Sequence, residues 1–304
     1  MVPEWFPIQE ISELASFQEF HKFTEGGFAE IYRAIQVKDG EREEVIVKRL
    51  RPLNVQQQDH RELFANEARF LKKIHHPQIP RFIDGFLSER ECFYIMEWVD
   101  GKDPLQLLNN AKSSGKEFPL ELVFFVGLEI VKVLHYLHHF KPPILHSDIK
   151  PHNFLLTAEP KVYLIDFSVA LELRDEEPKL QGTINFMPPE RLGGKKLTVQ
   201  ADLFALTLSL YCLAAQEALM KPAKMAELFG EWLSEKYYEK IREQKFSKPL
   251  EEFFLKNLQF KPEKRAASAQ ELVKDLQYCI QALELELHPN ELSKQVQDLE
   301  RIST

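Results

Sequence analysis

The chain has 304 residues, of which 44% are hydrophobic and 28% charged, a composition that supports one large or two small folded domains and excludes a disordered chain. Its 39 Lys and Arg against 47 Asp and Glu leave a net charge of −8, which argues against a protein that coats DNA or RNA and would need a basic excess. Cys92, Cys212 and Cys279 stand far apart with no C-x-x-C pair, so neither a disulfide framework nor the usual kind of zinc site is expected, and a reducing, cytoplasmic compartment fits.

In chain order, the opening MVPEWFPIQEISEL lacks the basic start and apolar run of a secretory signal. Short β-like runs follow at Glu30–Gln36 and Glu44–Lys48, with Lys38-Asp-Gly40 between them as a hairpin signal. Residues 59–74 carry Leu63, Phe64, Phe70, Leu71 and Ile74 at helical spacing, ended by His76-Pro77. Strand-like runs at Arg81–Leu87 and Cys92–Val99 come next, then a break at Asp100-Gly101 and Asp103-Pro104. Beyond it the pattern turns helical, at Pro119–His139, at Gln200–Leu219 and several times over 229–283, with short strand pieces around Leu155 and Val162–Ile165. The longest apolar stretch, Leu203–Ala215, falls short of the ~20 residues a bilayer span requires and reads as a buried helix in a soluble chain. Leu292, Val296 and Leu299 could form a weak amphipathic helix in a tail that reads as a packed or frayed terminus. The architecture predicted is α+β, a small β-rich lobe followed by a larger, mainly helical one.

Glycine is scarce, 11 where average usage would give roughly 21, so the pair in Thr24-Glu-Gly-Gly-Phe-Ala-Glu-Ile-Tyr32 stands out. A turn with free N–H groups and little side-chain bulk can lie over phosphates, although such hairpins are as often only turns. Lys48, at the end of an apolar strand, has Glu67 in the next helix as a candidate partner; on strand evidence alone it reads rather as a lysine reaching solvent. The strongest signal is His146-Ser-Asp-Ile-Lys-Pro-His-Asn153 with Asp166-Phe-Ser168 beyond it. Asp148, Lys150 and Asn153 gather a base, a cation and an oxygen ligand in one loop, and Asp166 closes a buried strand. Carboxylate and carboxamide oxygens suit Mg²⁺, and a nearby lysine can neutralise a transferring phosphoryl group.

These motifs, in this order over residues 20 to 283, resemble the eukaryotic-like (Hanks-type) serine/threonine protein kinase family. The resemblance implies a bilobal protein kinase fold, with an N-terminal extension over 1–18, an N-lobe over 19–99, a C-lobe over 100–285 and a tail over 286–304. It implies ATP and Mg²⁺ as cofactors and a protein with a Ser or Thr hydroxyl as partner; no nucleic acid and no membrane span is expected, and oligomeric state stays open. Nucleotide-binding positions would be Thr24, Gly26, Gly27, Phe28, Ala29, Ile31, Lys48, Met96, Glu97 and Val99, with Glu97–Val99 as the hinge facing adenine and Met96 controlling access behind it. Lys48, held by Glu67, would bind the α- and β-phosphates; Asn153 and Asp166 would hold Mg²⁺. Asp148 would orient the substrate hydroxyl and accept its proton, and Lys150 would touch the γ-phosphate, as in serine/threonine members. Asp202 falls where the family braces its catalytic loop, and Arg265 where an arginine pairs with the glutamate of A-P-E, here Glu190.

The sequence also departs from the family. Thr24 and Ala29 stand at glycine positions of the loop, which adds Cβ atoms where backbone approaches nucleotide and predicts weaker ATP binding, and Ser168 replaces the D-F-G glycine. Ser147 replaces the H-R-D arginine (a non-RD loop), and Val169–Gly182 contains no Ser, Thr or Tyr, so activity gated by phosphorylation of that segment is not expected. Asp175, Glu176 and Glu177 read as a solvated acidic turn rather than a phosphate mimic. Pro188, at the A-P-E alanine, restricts the chain without chemical consequence. His135, His138 and His139 have metal-compatible spacing but read as packing, and Gly193-Gly-Lys-Lys196 as a surface turn. The alternative to an active kinase is a pseudokinase acting as a nucleotide-binding or allosteric scaffold; a small-molecule kinase is a weaker third reading.

Overall fold

The computed structural model describes residues 16–25, 29–55, 57–88, 91–173, 182–217 and 236–301. The chain divides into two compact units, Met1–Val99 and Asp100–Thr304.

The first unit is built on a five-stranded antiparallel sheet of β1 (Phe17–Glu25), β2 (Ala29–Lys38), β3 (Glu41–Leu50), β4 (Phe82–Leu87) and β5 (Cys92–Glu97), in the order β1-β2-β3-β5-β4. The β2–β3 hairpin closes through Asp39 and Gly40, at φ 51° and 83°. Two left-handed residues in a row make the turn whose twist matches a β-hairpin, and Gly40 adopts that conformation without strain. Strand alternation puts Val45, Val47, Phe93 and Ile95 on one face, where they bury against Phe17 and Ala34. The other face carries Ile46, Lys48 and Leu50, and Tyr94 pairs directly with Lys48. The short helix α1 (Pro52–Val55) leads into α2 (Gln58–Lys73), whose Phe64 ring meets that of Tyr94 at a centroid distance of 5.0 Å.

Strand β1 starts at Phe17, inside the stretch expected to precede the β-rich lobe. Its sequence, FQEFHKFTE, exposes seven of nine residues, so the usual apolar alternation is absent. Lys48 is not the last residue of its strand, since β3 continues to Leu50, and β5 ends at Glu97 rather than Val99.

The second unit is mainly helical. The expected break after residue 100 holds a two-residue strand β6 (Gly101–Lys102) and a helix, α3 (Pro104–Ser113), whose first turn is capped by the Asp103 side chain accepting from Gln106 N. Asp-Pro here starts a helix, because Pro fits the first helical position where its missing N–H costs nothing. Then follow α4 (Leu120–His138), β7 (Ile144–Leu145), β8 (Phe154–Thr157), β9 (Val162–Leu164), β10 (Leu171–Glu172), α5 (Pro189–Leu192) and α6 (Gln200–Ala214). Strand β8 pairs with β6 and β9, and β10 with β7.

Helix α6 is buried on every side from Ala201 to Leu213, so it forms the centre of this unit. It ends at Ala214, before the expected Leu219; residues 218–235 lie outside the described residues. At Gly127 a Cβ would come within 2.8 Å of Leu210 Cδ1, so a glycine there lets α4 approach α6 closely. Helices α7 (Lys236–Glu243), α8 (Lys248–Asn257) and α9 (Ala269–Ala282) complete the amphipathic set; 229–235 lie outside the described residues. The tail is a packed helix, α10 (Pro289–Glu300), with Leu292, Val296 and Leu299 buried and Leu299 O accepting from Asn110 Nδ2 of α3 at 2.9 Å. Among the described residues, no helix is long and apolar enough to cross a membrane.

Candidate active site

In the first unit, the face of β3 that carries Lys48 is covered by α2, and Glu67 lies three residues after Phe64 on the same helix surface. Lys48 Nζ therefore meets Glu67 Oε2 at 2.6 Å, with both residues buried, at 8% and 1% exposure. At that burial a lysine without an opposite charge would be costly, and the pair resolves the alternative of a lysine reaching solvent. Ile31 is the cross-strand partner of Lys48, and Thr24 pairs with Ile31. Ala29 is buried at the start of β2, opposite Leu50, so its methyl group is accommodated within the sheet. Gly26, Gly27 and Phe28 lie outside the described residues. Met96 is partly buried on β5. Glu97 N donates to Arg81 O at 2.9 Å, and Trp98 N approaches Glu44 O at 3.4 Å.

In the second unit, the loop 146–153 converges on Asp148, which is 7% exposed. Its Oδ1 accepts from Thr183 N at 2.8 Å. Its Oδ2 accepts from Lys150 Nζ at 2.6 Å and Asn153 Nδ2 at 3.2 Å. Lys150 Nζ also donates to Thr183 Oγ1 at 2.7 Å, and Asn153 Nδ2 to Asp148 O at 2.8 Å. The carboxylate is thus fixed by one cation, one carboxamide and one backbone N–H.

The β8–β9 hairpin brings Asn153 and Asp166 to one end. Phe154 pairs with Leu164, and Ile165 N donates to Asn153 O at 2.9 Å, which leaves Asp166 one residue further along. Asp166 has φ 66°, an uncommon conformation for a non-glycine residue and one that clusters at functional sites. Its Oδ1 accepts from Ser168 N at 3.3 Å. Among the described residues, no group of three or more His, Cys, Asp or Glu gathers as a metal site. Asn153 and Asp166 instead supply one carboxamide and one carboxylate oxygen set, which fits a hard cation that takes its remaining ligands from phosphate and water.

The loop is braced by Asp202, 1% exposed near the start of α6. Its Oδ2 accepts from His146 N and its Oδ1 from Ser147 N, both at 2.9 Å. His138 Nε2 adds a third bond at 3.1 Å. Burial would raise the Asp202 pKa, but the His138 hydrogen bond and charge, with the Ser147 N–H, hold it below the usual carboxylate range. His138 thus bonds the residue that braces the loop, while His139 Nδ1 lies 2.6 Å from His135 O. His146 is fully buried, edge-on to Phe167 at 4.8 Å, with Nε2 on Ile165 O at 3.1 Å; burial pushes its pKa down. Glu190 and Arg265 form a buried bidentate pair at 2.9 and 2.8 Å. Gly193 to Lys196 is an exposed turn, with Gly194 at φ 64°.

Sequence reasoning missed two members of this site. Thr183 was assigned no role from the sequence; its position right after Gly182, the residue with φ 107°, is the available signal. Arg191 went unremarked because an arginine in a surface-like stretch carries no motif. Residues 174–181, with Asp175, Glu176 and Glu177, lie outside the described residues.

The lysine–glutamate pair on a five-stranded sheet and the carboxylate loop under a buried helix are the parts of a protein kinase domain. The model of the protein kinase domain family matches residues 17–277, and the chain belongs to that family. It is 31% identical over 262 residues to the tyrosine-protein kinase MasK of Myxococcus xanthus, covering 82% of this chain and 40% of that one. It is 34% identical over 133 residues to the probable serine/threonine-protein kinase YbdM of Bacillus subtilis, covering 43% of this chain and 49% of YbdM. The probable serine/threonine-protein kinase SCO3848 of Streptomyces coelicolor is 27% identical over 266 residues, 84% of this chain and 38% of that protein. The chain thus spans less than half the length of each of these relatives.

Proposed function

We propose that this chain is a serine/threonine protein kinase that transfers the γ-phosphate of ATP to protein hydroxyls. The observation that carries the reading is Asp148, held at 2.6–3.2 Å by Lys150, Thr183 N and Asn153. A carboxylate fixed at that precision can orient an acceptor hydroxyl and take its proton as the new P–O bond forms. Lys150 supplies positive charge beside the acceptor, where negative charge develops on the transferring group. Lys48, kept in place by Glu67, binds the α- and β-phosphates. With the Glu97 and Trp98 N–H groups engaged by Arg81 O and Glu44 O, Val99 N–H is the donor of this segment toward adenine. Asn153 and Asp166 would hold Mg²⁺, which when bound neutralises phosphate charge.

Two features support serine and threonine over tyrosine: Lys150 in the loop, and its bond to Thr183 Oγ1 at 2.7 Å, which closes the region around Asp148. MasK bears a tyrosine kinase name, so the choice is made by experiment. Acid hydrolysis of a labelled substrate should release phosphoserine or phosphothreonine; label on phosphotyrosine alone would overturn the assignment.

The activation segment is proposed to need no phosphate. Val169–Gly182 has no hydroxyl to modify, and residue 147 offers a serine rather than a cation to bind one. Phosphatase treatment should leave the rate unchanged, and dependence on phosphate at Ser168 or Thr183 would refute this. Thr24, Ala29 and Ser168 favour the alternative of a nucleotide-binding scaffold; a wild type that binds ATP without transfer would establish it.

A further inference from the structure

Arg191, on α5 directly after Glu190, has no place in the mechanism above, yet it is 6% exposed and lies against the loop that carries Asp148. Its Nη1 donates to the Ser147 carbonyl at 2.9 Å. Ser147 has φ 68°, a left-handed conformation in a residue with a side chain. Its N–H is bonded to Asp202 Oδ1 at 2.9 Å. Gly182 approaches the same carbonyl from another side: a Cβ there would sit 3.0 Å from Ser147 O and 3.4 Å from Asp148 Oδ1. Ser147 therefore has its N–H held by a carboxylate and its C=O held by a guanidinium. The second of these groups belongs to the peptide bond that joins Ser147 to Asp148, so its orientation sets where the Asp148 backbone begins.

The charge matters as well as the shape. Burial pushes the Arg191 pKa down, and the charges of Asp202 and Asp148 offset this only in part. Arginine stays protonated even so. Burying a cation is costly without charge and hydrogen bonds to offset it. Phe186, Met187, Ala201 and Ala205 line the same small cavity beneath the loop, so an apolar side chain would suit packing there.

We propose that Arg191 is a positioning residue for phosphoryl transfer: it fixes the Ser147–Asp148 peptide, and so governs turnover rather than nucleotide affinity. This rests on the phosphotransferase reading of Asp148. The test compares Arg191→Met and Arg191→Lys with the wild type in kcat, KM for substrate, ATP affinity and hydrogen exchange at the amides of His146 to Asp148 in nucleotide-free protein. A displacement of about 1 Å can cost about 100-fold in rate. Arg191→Met should lower kcat about 10- to 100-fold with ATP affinity within about twofold, and exchange at these amides should quicken; Arg191→Lys, which can still offer a charged donor to the carbonyl, should recover most of both. A wild-type kcat in Arg191→Met would overturn the proposal. So would equal damage in both variants with ATP affinity lost in parallel, which marks a residue of the fold. If the wild type transfers no phosphate, the phosphotransferase reading fails by itself. Exchange at His146 to Asp148 then still decides whether Arg191 holds the peptide, and unchanged exchange in Arg191→Met would rule that out.

Discussion

Asp202→Asn tests how the catalytic loop is held. The carboxylate accepts two backbone N–H groups at 2.9 Å and His138 Nε2 at 3.1 Å. A carboxamide of the same size keeps one oxygen and turns an NH₂ toward whatever faced the other. One backbone donor is then left against another donor, and the remaining bonds lose the charge that strengthened them. Hydrogen bonds to a charged group contribute about 1.5–3 kcal/mol each, so losing one and weakening two costs about 3 kcal/mol or more. That is less than the ~5–15 kcal/mol that holds a folded domain together, so the unit should persist while the loop opens locally. Amide hydrogen exchange reads this directly: at 1.4 kcal/mol per factor of ten, protection of the His146 and Ser147 amides should fall about 100-fold, while amides in the middle of α4 change far less. Unchanged protection at residues 146 and 147 in a folded variant would refute the bracing role.

Further outcomes follow from other contacts. Arg265→Met leaves the Glu190 carboxylate buried and unpaired and should cost about 3–5 kcal/mol in denaturant unfolding, and Arg265→Met with Glu190→Gln should be clearly less damaging than the sum of the two single changes; additive losses would contradict the pairing. His146 titrates below its unfolded value because it is buried, so its contribution to stability is complete above about pH 6.5 and is lost as pH falls through its lower folded pKa. Between pH 7.5 and 5.5 the urea midpoint should fall more in wild type than in His146→Phe, with a limiting slope of about 1.4 kcal/mol per pH unit, and equal falls would refute this. In α10, Leu292 is 1% exposed, so Leu292→Ala should destabilise the second unit by about 2–5 kcal/mol; a loss under about 0.5 kcal/mol would show the helix to be loosely attached.

What could be read from the sequence followed the strength of each local signal. Periodicity located α2, α4 and the β2–β3 hairpin because apolar spacing and an Asp-Gly turn agree there. Strand β1 was missed because its side chains are mostly exposed and polar, and pairing with β2 holds it in the sheet. Helix α3 was hidden by Asp103-Pro104, which serves equally as a break or as a cap with Pro at the first helical position. The overlong reading of α6 has a similar cause: Ala214 and Ala215 continue the apolar run, whereas the hydrogen-bonded turn at Ala215 and Gln216 ends the helix. At the site, Lys48, Glu67, Asp148, Asn153 and Asp166 were legible as residue types at ordered spacings. Thr183 bonds Lys150 across 33 residues, Arg191 bonds Ser147 across 44, and His138 bonds the bracing Asp202 across 64, and only tertiary packing brings these atoms together.

The most direct test of the central claim is phosphate transfer from radiolabelled ATP with Mg²⁺, to the protein itself and to a basic protein substrate, with wild type and Asp148→Asn side by side. General-base positioning contributes about 100-fold or more, so label should appear with wild type and fall at least about 100-fold in the variant while nucleotide binding persists in both. Equal transfer by the two proteins, or no transfer by a wild type that binds ATP, would contradict the account.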